Sequence, residues 1–171
     1  MEKAKVYYTD FRTVAFGDGL PTKLQKLINK AGIGPMAMDG KFVAIKMHFG
    51  ELGNIRFLRP NYARAVVDVV KELGGEPFLT DCNTMYPGSR KNALEHLYCA
   101  WENGFTPLTV GCPVIIGDGL KGTDDIGVPV AGGDYVKEAR LGRPIMDADR
   151  FTSPPHLHGP QTHGLGGHMP T

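Results

Sequence analysis

Charged and imidazole side chains follow directly after one strongly apolar stretch of the sequence. Residues 42–45, Phe-Val-Ala-Ile, form a continuous apolar run, which is typical of a strand buried on both faces of a parallel sheet. Lys46, His48 and Glu51 come next, beside glycines that allow the backbone to turn sharply. A lysine can neutralise a phosphate or carboxylate group, and a histidine beside a glutamate can act as an acid/base pair. A solvated loop without a ligand would explain the same charges.

A second polar turn follows the next apolar segment. Residues 76–82 predict a strand, and Asp81 falls at its end. Ligands of open α/β sheets bind beyond the carboxyl ends of the strands, so we expect Asp81 to lie near the first cluster and to orient a partner or a hydroxyl group. Ser89 and Arg90 stand at a predicted helix start, where free N–H groups and a cation favour an anion. An ordinary helix cap explains Ser89 equally well.

The two turns together predict a crevice that binds a small anionic molecule. The candidate catalytic residues are His48, Glu51 and Asp81. The candidate ligand-binding residues are Lys46, Asn54, Arg59, Asn83, Ser89 and Arg90. The arginines would hold the anion through their bidentate forks.

The end of the chain is rich in glycine and histidine. His156, His158 and His163 lie there close together, and as neutral imidazoles they could bind a divalent metal such as Zn, Ni, Fe or Cu. No carboxylate or cysteine joins them locally, and a mobile chain end would have the same composition. The metal site and the plain tail are therefore alternatives.

Alternating strand and helix patterns position the two polar turns. Strand patterns cover residues 5–11, 42–49, 76–82 and 108–118, and Pro113 puts the last of these at a sheet edge or interrupts it. A strand, a helix and a second strand form a crossover unit whose strands pair in parallel.

Helical patterns separate these strands. Thr22 with Gln25 resembles a capping box at the start of the first helix, which Gly32 ends. Pro60 begins the second helix, and Ser89 caps the third. The apolar face of the third helix consists of Leu94, Leu97, Tyr98 and Trp101.

The predicted fold class is α/β, with an open, mostly parallel sheet and helices on its faces in three layers. Residues 119–133 predict a hairpin or excursion, 135–139 a short strand, and 143–151 lead into one more strand. The predicted domains are an α/β ligand-binding domain at 1–150 and a Gly/His-rich tail at 151–171.

Composition excludes several classes of function. The 171 residues, 42% of them hydrophobic, suit one domain with a core. A formal net charge of +1 without a basic run gives no reason to expect nucleic acid or an anionic membrane as a partner. The apolar runs are strand-sized and the N-terminus lacks a signal core, so neither secretion nor membrane insertion is indicated. Three cysteines without Cys-x-x-Cys spacing predict neither disulfides nor a metal cradle, and favour a reducing cytoplasm.

Four motifs, in this order, resemble a known family. They are Lys-Met-His-Phe-Gly-Glu-Leu-Gly-Asn at 46–54, Arg-Pro-Asn-Tyr at 59–62, Leu-Thr-Asp-Cys-Asn-Thr-Met-Tyr-Pro-Gly-Ser-Arg at 79–90 and Pro-Val-Ile-Ile-Gly-Asp-Gly-Leu-Lys-Gly at 113–122. Over residues 5–167 the chain resembles the N-terminal part of domain of unknown function 362, whose members are often labelled uncharacterised iron–sulfur-centre proteins.

The resemblance implies an α/β fold and, in many members, a C-terminal ferredoxin-like module whose cysteines hold 4Fe–4S clusters. Cys82, Cys99 and Cys112 do not have the spacing that such clusters need. From His168 on the family's tail pattern is lost, so the chain resembles a truncated, divergent or misread member.

Two functions remain open at this stage. The first is a module that binds a small anion, with or without a metal, and presents its ligand to a separate ferredoxin-like protein. The second is a catalytic domain in which His48 and Glu51 perform acid/base chemistry on a phosphorylated or carboxylated small molecule. The missing cluster cysteines favour the first, and the histidine and glutamate beside Lys46 favour the second.

Overall fold

The structure is a computed structural model and describes residues 4–156. Its helices and strands alternate along most of the chain. In chain order the elements are α1 (Leu20–Ala31), β1 (Phe42–Lys46), α2 (Pro60–Glu72), β2 (Glu76–Asp81), α3 (Ala93–Glu102), α4 (Pro107–Val110), β3 (Val114–Ile116), β4 (Asp125–Pro129), β5 (Glu138–Gly142), α5 (Arg143–Asp147) and β6 (Arg150–Thr152).

Four of the strands form one parallel sheet in the order β3-β2-β1-β6. Lys46 at the end of β1 pairs with Thr80 of β2, and Ile45 pairs with Thr152 of β6 on the other side. The predicted parallel pairing of the two apolar segments is confirmed, and so is the edge position that Pro113 predicts for β3. The predicted class, an open α/β fold with helices on the faces of the sheet in three layers, is also confirmed.

The direction of winding changes at β1. From β1 the chain moves outward through β2 to β3, and it then returns across the sheet to place β6 on the free side of β1. Such a switch point separates the loops that leave neighbouring strands and opens a crevice at their carboxyl ends. The sheet order therefore puts a crevice between the residues after β1 and those after β6.

The core lies between one side of this sheet and α2. Val43 and Ile45 of β1 have no exposed surface and belong to one apolar cluster with Val66 and Val70 of α2. Each of these side chains contributes about 1.5–3 kcal/mol through removal from water. The helix begins at Pro60, as predicted, because a missing N–H costs nothing in the first turn.

β4 and β5 form a separate antiparallel hairpin. The predicted hairpin region contains β4, and the second arm, β5, overlaps the end of the short strand predicted at 135–139 and extends beyond it to Gly142. At the end of β5, a Cβ on Gly142 would overlap the carbonyl oxygen of Gly117 and lie 3.3 Å from Cys82 Sγ. Only a glycine allows the hairpin to approach the sheet this closely.

The predicted strand at residues 5–11 is wrong. The segment is irregular and has no partner strand among the described residues, and Tyr8 is 82% exposed. Strand propensity expresses packing on a sheet, which this segment does not have. It is held against α1 instead, where Lys23 Nζ donates to the carboxylate of Asp10 at 2.8 Å.

The start of α1 also differs from the prediction. The N-cap residue is Gly19, which makes no side-chain cap, and Pro21 lies in the first turn. Thr22 is therefore inside the helix and forms no capping box with Gln25. The predicted end is confirmed, because Gly32 adopts a left-handed conformation with φ 99°.

The start and the buried face of α3 were both predicted wrongly. Asn92 is the N-cap, and its side chain accepts a hydrogen bond from the backbone N–H of Glu95, so Ser89 does not cap this helix. The buried residues of α3 are His96, Cys99 and Ala100. Leu94, Tyr98 and Trp101 are 48–71% exposed. The inner face therefore carries one histidine beside the smaller side chains of a cysteine and an alanine.

The predicted strand at 108–118 is shorter than expected. Thr106 and Thr109 form a capping box that begins the short helix α4, and Gly111 ends it in a left-handed conformation. Only Val114–Ile116 remain as strand. No helix within the described part of the chain has the length and apolar character needed to cross a membrane.

Candidate functional site

Lys46 and Asp81 meet at the carboxyl edge of the sheet. They are the last residues of β1 and β2, which are parallel neighbours. Lys46 Nζ lies 3.6 Å from Asp81 Oδ1. The lysine side chain is 27% exposed and the aspartate side chain 5%, so the cation stands at the mouth of the crevice and the carboxylate beneath it.

Glu51 joins the loop after β1 to the loop after β2. Its carboxylate accepts the backbone N–H of Ser89 at 2.9 Å and the Nε–H of Arg90 at 3.2 Å. A Cβ on Gly88 would stand 2.6 Å from Glu51 Oε2, so the glycine makes room for this contact. Desolvation alone would raise the pKa of Glu51, but hydrogen bonds from Ser89, Leu52 and Arg90 lower it below its usual value. Glu51 is therefore ionised and fully engaged near neutral pH.

Arg90 is the buried cation of the site. The residue is 7% exposed, and besides its contact with Glu51 it holds Nη1 3.8 Å from Asp81 Oδ2. One guanidinium thus lies between two carboxylates of different loops. Such an arrangement fixes the geometry of both loops.

His48 is a neutral hydrogen-bond donor. Desolvation of the ring, with the positive charges of Arg90 and Lys46, lowers its pKa to about 4, although the residue as a whole is exposed. Nδ1 accepts the backbone N–H of Gly50 at 2.9 Å. The neutral ring therefore carries its proton on Nε2, which can donate to a ligand but cannot coordinate a metal in that form.

His96 belongs to this site, and sequence reasoning missed it. Its ring has no exposed surface, and Nε2 lies 3.8 Å from Asp81 Oδ2. Neither ring nitrogen has a hydrogen-bond partner in the described part of the chain. Desolvation and the charge of Arg90 lower its pKa to about 4, and the ring packs edge-on against Phe49. The signal was available: His96 is in helical phase with the small residues Ala93 and Ala100.

Asp81 is the centre of the group. Oδ1 accepts the backbone N–H of Cys82 at 3.0 Å, whereas Oδ2 faces Arg90 and His96. Desolvation raises the pKa of Asp81 above its usual value, against the opposing effect of Lys46 and the other donors. The side-chain donors of Lys46, Arg90 and His96 all stand at 3.6–3.8 Å, beyond hydrogen-bond distance. The carboxylate is surrounded by donors but not bound tightly by any of these three.

Asn83 binds Asp118, which follows the neighbouring strand β3, instead of Asp81. Its backbone N–H and its Nδ2 both donate to the carboxylate of Asp118, at 3.0 and 2.9 Å. The bond ties the loop after β2 to the turn after β3. Desolvation raises the pKa of Asp118, which the N–H of Asn83 opposes. In this position Asn83 holds the frame of the crevice.

Asn54 and Arg59 make local side-chain contacts within the chain between β1 and α2. The side-chain oxygen of Asn54 accepts the backbone N–H of Arg56 at 2.8 Å, which closes a local turn. The guanidinium of Arg59 lies over the Phe57 ring, 5.1 Å from its centroid, next to the start of α2. Both residues are exposed and occupied by these local contacts.

The predicted metal ligands are described only in part. His156 is exposed beyond β6, and its charge makes a smaller contribution than desolvation, Arg90 and Lys46 to the low pKa of His48. The two imidazoles therefore lie in the same region. His158 and His163 fall outside the described residues.

The described residues do not fit a 4Fe–4S cluster or another metal. Burial raises the pKa of Cys82 and Cys112 to about 11 and also raises that of Cys99, whereas cluster ligands are thiolates. Within residues 4–156, no three or more His, Cys, Asp or Glu side chains come together in a way that could hold a metal ion.

An apolar depression of about 320 Å³ adjoins the charged group. It is lined by Leu52, Ser89, Leu94, Glu95 and Tyr98. Ser89 lines this depression and also donates its backbone N–H to Glu51, so the depression adjoins the loop that Glu51 holds.

Comparison with known proteins identifies a family. Residues 43–169 match the family model described as Domain of unknown function (DUF362), which agrees with the four motifs found in the sequence. The comparison with curated proteins finds no match, and neither does the comparison with solved structures.

Proposed function

This chain belongs to the family described as domain of unknown function (DUF362), and from that premise we propose that it is an α/β domain that binds a small oxyanion, such as a phosphate or carboxylate group. The ligand binds at the carboxyl ends of β1, β2 and β6. The ferredoxin-like partner and the tail metal remain predictions from the family resemblance and from the histidines of the tail.

One observation carries this proposal, namely the loose ring of donors around Asp81. Lys46, Arg90 and His96 stand 3.6–3.8 Å from its carboxylate. His96 is fully buried and both its ring nitrogens lack a partner among the described residues, so it favours a bound group that completes its hydrogen bonds. The location supports the same conclusion, because Lys46 ends β1, the strand at which the winding of the sheet changes.

Lys46 is the cation that meets the anion first. Its side chain is more exposed than that of Arg90, 27% against 9%, and it is not held at hydrogen-bond distance by Asp81. Nε2–H of His48 supplies a second, uncharged donor nearby. Arg90 is partly neutralised by Glu51 and chiefly positions the loops.

The geometry supports binding better than acid/base catalysis by His48 and Glu51. The carboxylate of Glu51 is already occupied by Ser89 and Arg90, and its pKa is lowered, which disfavours a general acid. Nδ1 of His48 is occupied by Gly50, which leaves a donor where a general base needs a lone pair.

Titration with inorganic phosphate tests the proposal. We expect Lys46→Ala to weaken phosphate binding, measured by calorimetry, by about 10- to 100-fold, since a charge-assisted hydrogen bond is lost. Lys91→Ala is the matched control, because Lys91 is exposed, neighbours Arg90 and, within residues 4–156, forms an ion pair only with Glu95, at 3.6 Å. Absence of phosphate binding by the unaltered protein, or equal losses in the two variants, would refute the proposal.

A further inference from the structure

We infer that the anion bound in this crevice carries a proton on one of its oxygens, as a hydrogen phosphate group does, and that Asp81 with His96 selects it over an oxyanion without a proton, such as sulfate. The inference rests on the proposed function and names the class of ligand that the same site takes.

The position of the protonated oxygen is inferred from two distances. Arg90 Nη1 and His96 Nε2 each lie 3.8 Å from Asp81 Oδ2. Hydrogen bonds between such groups measure about 2.7–3.2 Å. Both nitrogens therefore face Oδ2 from beyond hydrogen-bond distance, and an oxygen atom between either nitrogen and Oδ2 would bridge the gap.

The separation of Arg90 and His96 from Asp81 matters because all three side chains are buried. The side chains of Asp81 and Arg90 are 5% and 9% exposed, and that of His96 is not exposed at all. Both nitrogens of His96 lack a partner among the described residues. Buried polar groups in folded proteins are almost always hydrogen-bonded, so a partner from outside the chain is expected here.

The lining requires that partner to donate as well as accept. Arg90 can only donate, while an ionised Asp81 can only accept. A hydroxyl oxygen of a phosphate satisfies both, because it gives its proton to Asp81 Oδ2 and accepts from Arg90 and from Nε2–H of His96. Sulfate oxygens can only accept, so a sulfate would face the carboxylate of Asp81 with no proton between two negative charges.

A direct comparison of two tetrahedral anions tests the inference. Inorganic phosphate and sulfate are titrated calorimetrically into the unaltered protein at pH 7.5 and constant ionic strength. We expect phosphate to bind about 100-fold more tightly, because like charges in an enclosed site strongly disfavour the wrong partner. This measurement needs no variant, and its outcome is independent of whether any substitution folds.

Asp81→Asn then identifies the selecting residue. The amide can donate to a sulfate oxygen, so we expect sulfate to bind more tightly and the preference for phosphate to fall to within a few-fold. Asp68→Asn is the charge-matched control, because Asp68 lies on α2 and pairs with Arg64 on the same helix. The control should keep the full preference.

The outcomes separate this inference from the proposed function. Equal binding of phosphate and sulfate by the unaltered protein would overturn the inference and leave the anion site standing. Binding of neither anion would overturn the proposed function and the inference with it. If Asp81→Asn still preferred phosphate over sulfate as strongly as the unaltered protein does, Asp81 would not select the anion. That result would overturn the inference.

Discussion

At the scale of single residues, the site is built from side chains that neutralise and orient one another. Glu51 and Asp81 flank Arg90, while Lys46 remains accessible at the mouth. His48 is neutral near neutral pH, since its pKa is lowered to about 4. The crevice thus offers the accessible ammonium group of Lys46 and the neutral donor of His48. Because the positive charges are largely balanced by the two carboxylates, this arrangement suits reversible binding of a small anion.

Removal of Arg90 should destabilise the protein because both its carboxylate partners would lose a buried counter-charge. We expect Arg90→Ala to lower the free energy of unfolding by about 3 kcal/mol, as found when one partner of a buried ion pair is removed. Urea unfolding measures the difference. Arg143→Ala is the control, since its pair with Asp124 is about half exposed, and a loss of equal size in both variants would contradict the expected role.

His96 should make stability depend on pH. Its pKa is about 4 in the folded protein and about 6.5 when unfolded. Between these values the unfolded chain binds the additional proton, so the free energy of unfolding falls as pH drops from about 6.5 to about 4, in total by about 3 kcal/mol. Above pH 6.5 the contribution is fully present.

Urea unfolding at several pH values between 4 and 7 measures this effect. His96→Leu should reduce the dependence by about half, because the leucine does not titrate, whereas His48, whose pKa is also lowered to about 4, still does. His156→Leu, a change at an exposed histidine of the same region, should leave it as it is. An unaltered slope in His96→Leu would show that another group is responsible.

At the scale of elements, loops and the hairpin are fastened to the sheet by close approaches. Glu51 joins the loops after β1 and β2, and Asp118 joins those after β2 and β3 through Asn83. The hairpin is seated where Gly142 meets Gly117, with no room for a side chain. The positions of the crevice walls therefore depend on a few polar contacts and on glycines.

Gly142→Ala should destabilise the contact between the hairpin and the sheet. The added methyl group would overlap a carbonyl oxygen of the backbone, and overpacking of this kind costs about 1–3 kcal/mol of unfolding free energy. Gly34→Ala is the control, because nothing lies within 4 Å of a Cβ there. Thermal unfolding of both variants measures the difference, and equal melting temperatures would contradict the packing argument.

At the scale of the whole molecule, the order of the strands decides where the site lies. Placing β6 beside β1 brings the chain after Thr152 to the same edge as Lys46 and His48. Residues that are far apart in sequence thereby line one crevice. The same arrangement leaves the predicted boundary at residue 150 inside the sheet, since β6 extends to Thr152.

Local patterns predicted those parts of the fold that depend on local physics. The apolar run before Lys46, Pro60 at a helix start and the parallel pairing with residues 76–82 all follow from propensity and from the crossover rule. The convergence of Lys46 and Asp81 follows from the same rule. The strand expected at 5–11 failed because a strand requires a neighbouring edge, which no local pattern supplies.

Side-chain direction was the main obstacle in predicting the site. The apolar residues of α3 suggested an inner face, but the helix begins at Ala93 and turns His96 inward instead. Asn54 and Arg59 have suitable chemistry, yet local partners occupy their side chains. Sequence spacing defines which residues come near a site, whereas their orientation depends on helix starts and turns that tertiary packing selects.

The two outer strands of the sheet, β3 and β6, are only three residues long. An exposed border of a sheet is where a foreign chain can attach by backbone pairing and begin a fibrous aggregate. Borders this short offer very few free backbone groups, and Pro113 directly precedes one of them without an N–H to give. Within the described part of the chain, the sheet is therefore open at both edges, but these edges offer few backbone groups to which a second molecule could add a strand.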